Sequence, residues 1–570
     1  MPFVLFAIFM SIFDFRKLSS VRLFYLCLIT WLGFCGLNQS AFAGEAEAQT
    51  QAGSLPPGAD NPESNGEDMD SPPAEAARFD ILEFQVSGNT VLPQGKIEQA
   101  VYPFLGESRT IDDVEAARAA LEKAFHDAGY LTVFVNTPEQ EVNNKMVRFD
   151  VQEGKVEKLR VVGAKYYSLG AIKARAPDLA EGKVPYFPNV QRQLASLNMQ
   201  ADRQVAPVLR PGKTPGRVEV DLKVEDKLPL HANLELNNRY IANTTHTRLN
   251  GSLRYDNLWQ MDHSLSLSFQ VTPEDPDETK VLSATYLIPT PGGDYWAFYG
   301  VSSRSDVAAV GDVSVIGNGT ILGLRYIHPL PAPALSGYFH NLTLGVDYKD
   351  FKESTRLIGT GFNTPISYMP FFVGYDSTLQ AEKSTTQFNL GLTFAVRNLG
   401  SDEQEFFDKR SEAEGSFAYL RGDIKHTYKL PRDWELFGRV SGQAAGAPII
   451  ANEQFVVGGA DTVRGYYEAT SLGDKGLFGT AELRTPSLAK YLNMEGELVG
   501  SVFYSAGQVR ILKPLAEQNS VFNLASIGVG LQFRKWHGVT AVFDYARALR
   551  EAGVVDKGDT LLHFRVAYDW

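Results

Sequence analysis

Only two cysteines, Cys27 and Cys35, occur in the 570 residues, and both lie within the first 43 positions. Without that stretch no thiolate nucleophile, disulfide or cysteine-ligated metal is left. Long apolar runs are also missing beyond residue 43, which excludes a bundle of membrane-spanning helices, each needing about 20 apolar residues. Basic charge is short: 54 Lys and Arg stand against 67 Asp and Glu, the opposite of a nucleic-acid binder. The nine histidines are scattered, with no metal-ligand spacing. Asp262-His263-Ser264 is an adjacency only, because successive strand residues point to opposite faces. "GNGTILG" (Gly317 to Gly323) lies between strands with no helix after it, so it is neither a dinucleotide fingerprint nor a phosphate loop. No G-x-S-x-G elbow occurs. Catalytic residues, a cofactor and a metal are therefore not expected, and the chain reads as a non-enzyme.

What is present starts with a leader. Arg16, Lys17 and Arg22 precede the apolar "LFYLCLITWLGF", and "AFAG" offers a cleavage site after Ala43, so residues 1–43 read as a signal peptide. A start at Met10 instead of Met1 gives a more ordinary leader. Removing the leader takes the net charge from −13 to −15. Residues 44–78 are acidic and proline-rich, with almost no large apolar side chains. They read as a disordered or partly helical linker.

From residue 79 to 227 the composition turns globular and repeats itself. Residues 79–154 give a strand, a helix at "QGKIEQAVYPFL" and a second helix after Thr110. In that second helix Val114, Ala117, Leu121 and Phe125 recur at helical spacing. Two strands close the unit. Residues 155–227 repeat the order, and Gly88 and Gly163 occupy matched positions. Two tandem β-α-α-β-β units result, which resemble POTRA domains, the periplasmic modules that precede certain outer-membrane barrels.

Residues 228–570 carry sixteen segments of about ten residues with alternating polarity, separated by Gly, Pro, Asn and Asp. They begin near Leu230, with later starts near Ser314, Gly415, Gly476 and Thr560. An even count of antiparallel strands can close without exposed edges, as a bilayer requires. The expected fold is therefore α+β repeats followed by a 16-stranded antiparallel outer-membrane β-barrel. The last segment, "TLLHFRVAYDW", sets Leu562, Phe564, Val566, Tyr568 and Trp570 on one face. Its aromatic end resembles the closing strand of such barrels.

Between segments eleven and twelve lies a glycine-rich loop, about residues 446–475, holding "GGADTVRGYYEATSLGDKG". The frame "EQFVVGGADTVRGYYEATSLGDKG", placed after two POTRA-like units, resembles the signature loop of TpsB transporters. These are the outer-membrane partners in two-partner secretion, the group that includes the haemolysin secretion/activation proteins. The resemblance implies that Val463, Arg464, Gly465 and Tyr466 lie in the barrel lumen and that Arg464 meets a carboxylate on the inner wall. A guanidinium inside a barrel needs such a partner. In the family that acid stands in an F-x-D-x-G frame, but this chain reads "FYSAG" with Ser505 at the acidic position. Parity leaves Asp544, Glu497 and Glu482 as inward candidates, with Asp544 first because it lies between Thr540 and Ala546.

The resemblance further implies a monomeric outer-membrane pore, with its POTRA domains in the periplasm and no nucleotide. It would export a large unfolded exoprotein of the adhesin, haemolysin or contact-dependent toxin class. Its surroundings are outer-membrane lipid, and nucleic acid is not a partner. A barrel- or autotransporter-assembly factor and a passive porin-like channel are the alternative readings. Whether an N-terminal helix plugs the barrel stays open.

Overall fold

The computed structural model describes residues 78–570, apart from 306, 311–312, 332–336, 353 and 358–359. The leader, nearly all of the linker and any N-terminal plug lie outside the described residues. Two compact units divide at Pro229 and Leu230, and each is taken in turn.

In the first unit the central strand Met146–Glu153 pairs in parallel with Glu83–Ser87 and antiparallel with Val133–Asn136. Helix Ile111–Asp127 covers this sheet. Its start is fixed by a capping box, in which Thr110 and Asp113 satisfy each other's backbone N–H. Val114, Ala117, Leu121 and Phe125, one face at helical spacing, pack with Val135, Val147 and Phe149 in a closed core. One element escapes the sequence pattern. Gly106–Arg109 forms a four-residue strand against Phe79–Ile81, too short to show alternation.

The second module repeats the arrangement. Arg217–Asp226 lies between a parallel Lys155–Val162 and an antiparallel Arg203–Pro211, with helices Leu169–Ala174 and Phe187–Leu197. The matched glycines do the same job in both modules. Gly88 has φ +82° and a Cβ there would lie 2.3 Å from the Val151 carbonyl oxygen; Gly163 has φ +97° and would meet the Val224 oxygen at 2.5 Å. Only glycine allows that backbone to cross so closely.

The second unit is a closed barrel of sixteen strands, each paired antiparallel with its chain neighbours. Strand one (Leu230–Asn237) closes on strand sixteen (Thr560–Asp569) through Asn237↔Arg565 to Asn233↔Asp569. Period-two alternation places Leu562 and Tyr568 outward, about half exposed, while His563 and Ala567 face in and are buried. No helix among the described residues is long and apolar enough to cross a membrane.

Strand six starts at Gly319 instead of near Ser314, because Val307–Val310 and Val313–Ile316 form a separate hairpin beyond the wall. Strand ten starts at Ala418 instead of Gly415, behind a short helix Glu403–Lys409. The loops that carry this helix and the glycine-rich segment share one end of the barrel, opposite the end where strand one begins.

Candidate functional site: a loop pinned inside the barrel

Strand eleven ends at Ala445 and strand twelve runs Lys475–Arg484. The connection between them folds into a hairpin, with Phe455–Val457 paired to Ser471–Gly473. Its apolar face (Phe455, Val457, Val463 and Tyr466) is buried against Phe478, Val509, Leu524 and Ala548 of the barrel wall.

At the tip Arg464 is 8 % exposed. One arm of its guanidinium, Nη2, donates to Glu482 Oε2 at 2.7 Å on strand twelve. The other, Nη1, reaches Asp544 Oδ2 at 3.2 Å on strand fifteen (Val539–Ala548). Its centre lies 3.3 Å from the centroid of the Phe503 ring, on strand thirteen (Glu497–Arg510). Two glycines on strand fourteen (Val521–Trp536) make the room. A Cβ at Gly528 would lie 2.4 Å from Phe503 Cζ, and one at Gly530 would lie 2.4 Å from Asp544 Oδ1. The phenyl ring therefore lies flat as a platform, and the carboxylate has space beside it. Arg484 donates Nε to Glu482 Oε1 at 2.9 Å, so two guanidiniums and two carboxylates balance one another away from bulk water.

Of the three acidic candidates, Glu482 and Asp544 both hold Arg464, and Glu482 is the nearer. Parity ranks Asp544 first, and the distances reverse that order. Glu497 stands at the start of strand thirteen, six residues from Phe503 and about 20 Å along the strand. Ser505 is fully buried and lies 3.0 Å, hydroxyl to hydroxyl, from Thr480 of strand twelve. The acid absent from position 505 is replaced from the neighbouring strand, two residues from Thr480.

The residues beside Arg464 also work. Gly465 has φ +88° and donates its N–H to His563 Nε2 at 2.9 Å, and a Cβ there would lie 3.1 Å from that of Ala546. The Tyr466 hydroxyl lies 2.9 and 2.7 Å from the carbonyls of Ala525 and Arg550. Val463 is fully buried in the apolar face. Tyr467 packs its ring 5.2 Å from Tyr240, and Asp461 pairs with Arg239 at 2.7 Å.

Two further clamps hold the loop's base. Glu453, 2 % exposed, takes Lys349 Nζ and the Tyr368 hydroxyl at 2.6 Å and the Tyr419 hydroxyl at 2.7 Å. Asp474, fully buried, accepts from the Ile449 N–H at 2.9 Å, the Leu512 N–H at 2.6 Å and Arg410 Nη2 at 2.6 Å. Neither Glu453 nor Asp474 stands out in the sequence. Asp474 sits in "LGDKG" at the loop's end, where one acid between glycines carries no distinguishing pattern. Beside the docked loop an open cavity of about 590 Å³ is lined by Asn233, Glu235, Asn250, Arg421 and Arg439.

The unequal partner distances have a measurable consequence. Glu482→Gln is expected to raise baseline conductance in planar bilayers more than Asp544→Asn does. Glu482 makes the shorter bond and also serves Arg484, so its loss leaves two cations without it. Equal conductance in the two variants would contradict that ranking.

A periplasmic module built of two helices on a three-stranded sheet, followed by a closed sixteen-stranded barrel with a loop pinned in its lumen, defines the class: a POTRA-bearing outer-membrane β-barrel. Residues 79–154 match the ShlB-type POTRA domain model, and residues 369–533 match the model for haemolysin secretion/activation protein ShlB/FhaC/HecB. The chain is similar to outer-membrane transporters of the TpsB type, with its POTRA region in the periplasm. It is 22 % identical over 429 residues to the outer membrane transporter CdiB of Dickeya dadantii, covering 71 % of this chain and 72 % of that one. Among solved structures it is similar to CdiB from Escherichia coli, with a TM-score of 0.59 and 18 % identity over 88 % of this chain and 93 % of that one. BamA from Haemophilus ducreyi lacking POTRA domains 1–3 shares the fold at a TM-score of 0.53 and 13 % identity, over 86 % of this chain and all of the other.

Proposed function

We propose that this transporter exports a large unfolded exoprotein, of the adhesin, haemolysin or contact-dependent toxin class, through the barrel lumen without nucleotide. Relatives described as outer membrane transporters support a transport role. Residues 155–227 act as a second POTRA domain, because they repeat the strand order and the close glycine crossing of residues 79–154. The client is captured as an added strand at a sheet edge of these modules, where backbone pairing accepts many sequences. The loop carrying Val463, Arg464, Gly465 and Tyr466 is the gate. The observation behind this reading is the clamp on Arg464. A loop that merely narrowed a passive channel would not need a buried cation held by carboxylates from two different strands.

Deleting residues 79–227 tests the proposal. Export of the cognate exoprotein into the medium is expected to fall to background while heat-modifiable barrel is still recovered from the outer membrane. A passive channel would lose no transport on that deletion. Export unchanged by the deletion would overturn the reading.

A further inference from the structure

We propose that the outer wall of the barrel carries a binding site for one glycerophospholipid of the periplasmic leaflet. An acyl chain would lie in a hollow over Ala284 and Gly300, and His263 would donate to the headgroup phosphate. The proposal does not rest on the export reading.

The hollow comes from missing side chains in one cross-strand row. Leu253, Leu267, Ala284, Gly300 and Leu322 are successive partners on strands two (Arg248–Leu258), three (His263–Val271), four (Lys280–Pro289), five (Tyr295–Arg304) and six (Gly319–Pro329). The three leucines are 45–56 % exposed on the lipid face. Between Leu267 and Leu322 the row drops to a methyl and then to nothing. Two adjoining hollows, of about 840 and 470 Å³, share Ala284, Gly300 and Leu322. At Gly300 a Cβ would approach Leu322 Cδ2 at 3.3 Å and the Ile321 carbonyl oxygen at 3.9 Å, so Leu322 is the one side chain within 4 Å of that space. An apolar recess on a face that the bilayer surrounds is filled by hydrocarbon, the only solvent there.

The smaller hollow reaches Tyr286, one row nearer the periplasmic end, where strand one also starts. A polar chain begins at that residue. Trp259 Nε1–H donates to the Tyr286 hydroxyl at 3.2 Å, and that hydroxyl lies 2.6 Å from His263 Nδ1. With the Tyr O–H donating to Nδ1, the imidazole proton sits on Nε2, which has no hydrogen-bond partner among the described residues. Donors linked in series polarise one another. The turn is also built at a cost: Trp259, Gln260 and Asp262 all hold positive φ, a strained arrangement that clusters at functional positions. It presents Trp259, 72 % exposed, at the height where indole rings meet headgroups.

Charge points to the same ligand. The turns 259–262 and 290–294, at this end of strands two to five, contain no Lys or Arg. A multiply phosphorylated glycolipid would need such cations. A single phosphodiester needs one or two neutral donors, which His263 supplies beside the indole. The end of the barrel selects the leaflet, and the donor count selects the headgroup class.

Native mass spectrometry of the full-length protein in detergent tests the site, with palmitoyl-oleoyl phosphatidylethanolamine as the added probe. Wild type is expected to hold one lipid. Gly300→Leu, which fills the hollow, and His263→Ala, which removes the donor, are each expected to lower the one-lipid fraction about fivefold, as loss of about 1 kcal/mol of contact implies. His426→Ala, at the same end of strand ten, should bind as wild type does. Heat-modifiable mobility confirms that each variant is folded. Wild-type binding by both folded variants, an equal loss in His426→Ala, or no lipid on the wild type overturns the proposal.

Discussion

Arg464→Ala is expected to cut export of the cognate exoprotein at least about tenfold, while the barrel still inserts and shows normal heat-modifiable migration. The reason lies in what the change leaves behind. Glu482 and Asp544 come from strands twelve and fifteen and face one cation between them. Removing it leaves Glu482 with Arg484 as its cation and takes away the ion-pair partner of Asp544, at a cost of about 3–5 kcal/mol for a broken buried pair. The wall itself keeps its hydrogen-bonded ladder, so insertion survives. The hairpin keeps its apolar contacts through Phe455, Val457 and Tyr466, so it is displaced and not unfolded. Arg464→Lys should recover little, because one ammonium cannot reach two carboxylates and lie on the Phe503 ring as a planar fork does. Normal export by a correctly inserted Arg464→Ala variant would remove the gating role from this residue.

How far the sequence revealed this site follows from what alternation can and cannot carry. Period two assigns a face to each residue, so the sixteen strands were legible, as was the inward direction of Glu482, Ser505 and Asp544. Alternation carries no height. Glu497 shares the inward parity of Ser505, yet register places it far along the strand from Phe503. Only the pairing Glu482↔Phe503↔Gly528 and the pairing Gly530↔Asp544 bring the acids to one level. Nothing in the sequence sets Gly528 and Gly530 apart from other strand glycines, and their purpose shows only when the Phe503 ring and the Asp544 carboxylate occupy the space. In the periplasmic modules the helix after Thr110 was legible because capping and apolar spacing agree. The strand Gly106–Arg109 was not, since its four residues have a mixed burial pattern and depend on a partner 25 or more residues earlier.

The base of the loop should respond differently from its tip. Asp474→Ala is expected to raise baseline conductance strongly, with many long openings where the wild type shows few. Asp474 alone gathers the Ile449 and Leu512 N–H groups and the Arg410 guanidinium, which ties together the loop, the connection after strand thirteen and the connection bearing helix Glu403–Lys409. Truncation strands a partly buried cation and two N–H donors, a cost of about 3–5 kcal/mol for the ion pair. Asp474→Asn should fall between wild type and Ala, because an amide oxygen can accept one N–H but its NH₂ faces Arg410. Tip and base share no hydrogen-bonding partner, so conductance increments of Arg464→Ala and Asp474→Ala should add in the double variant if the clamps act independently. A double variant no more open than Asp474→Ala alone would mean that releasing the base already frees the tip. The hairpin would then move as one rigid piece about Ala445 and Lys475, and Arg464 would be its latch.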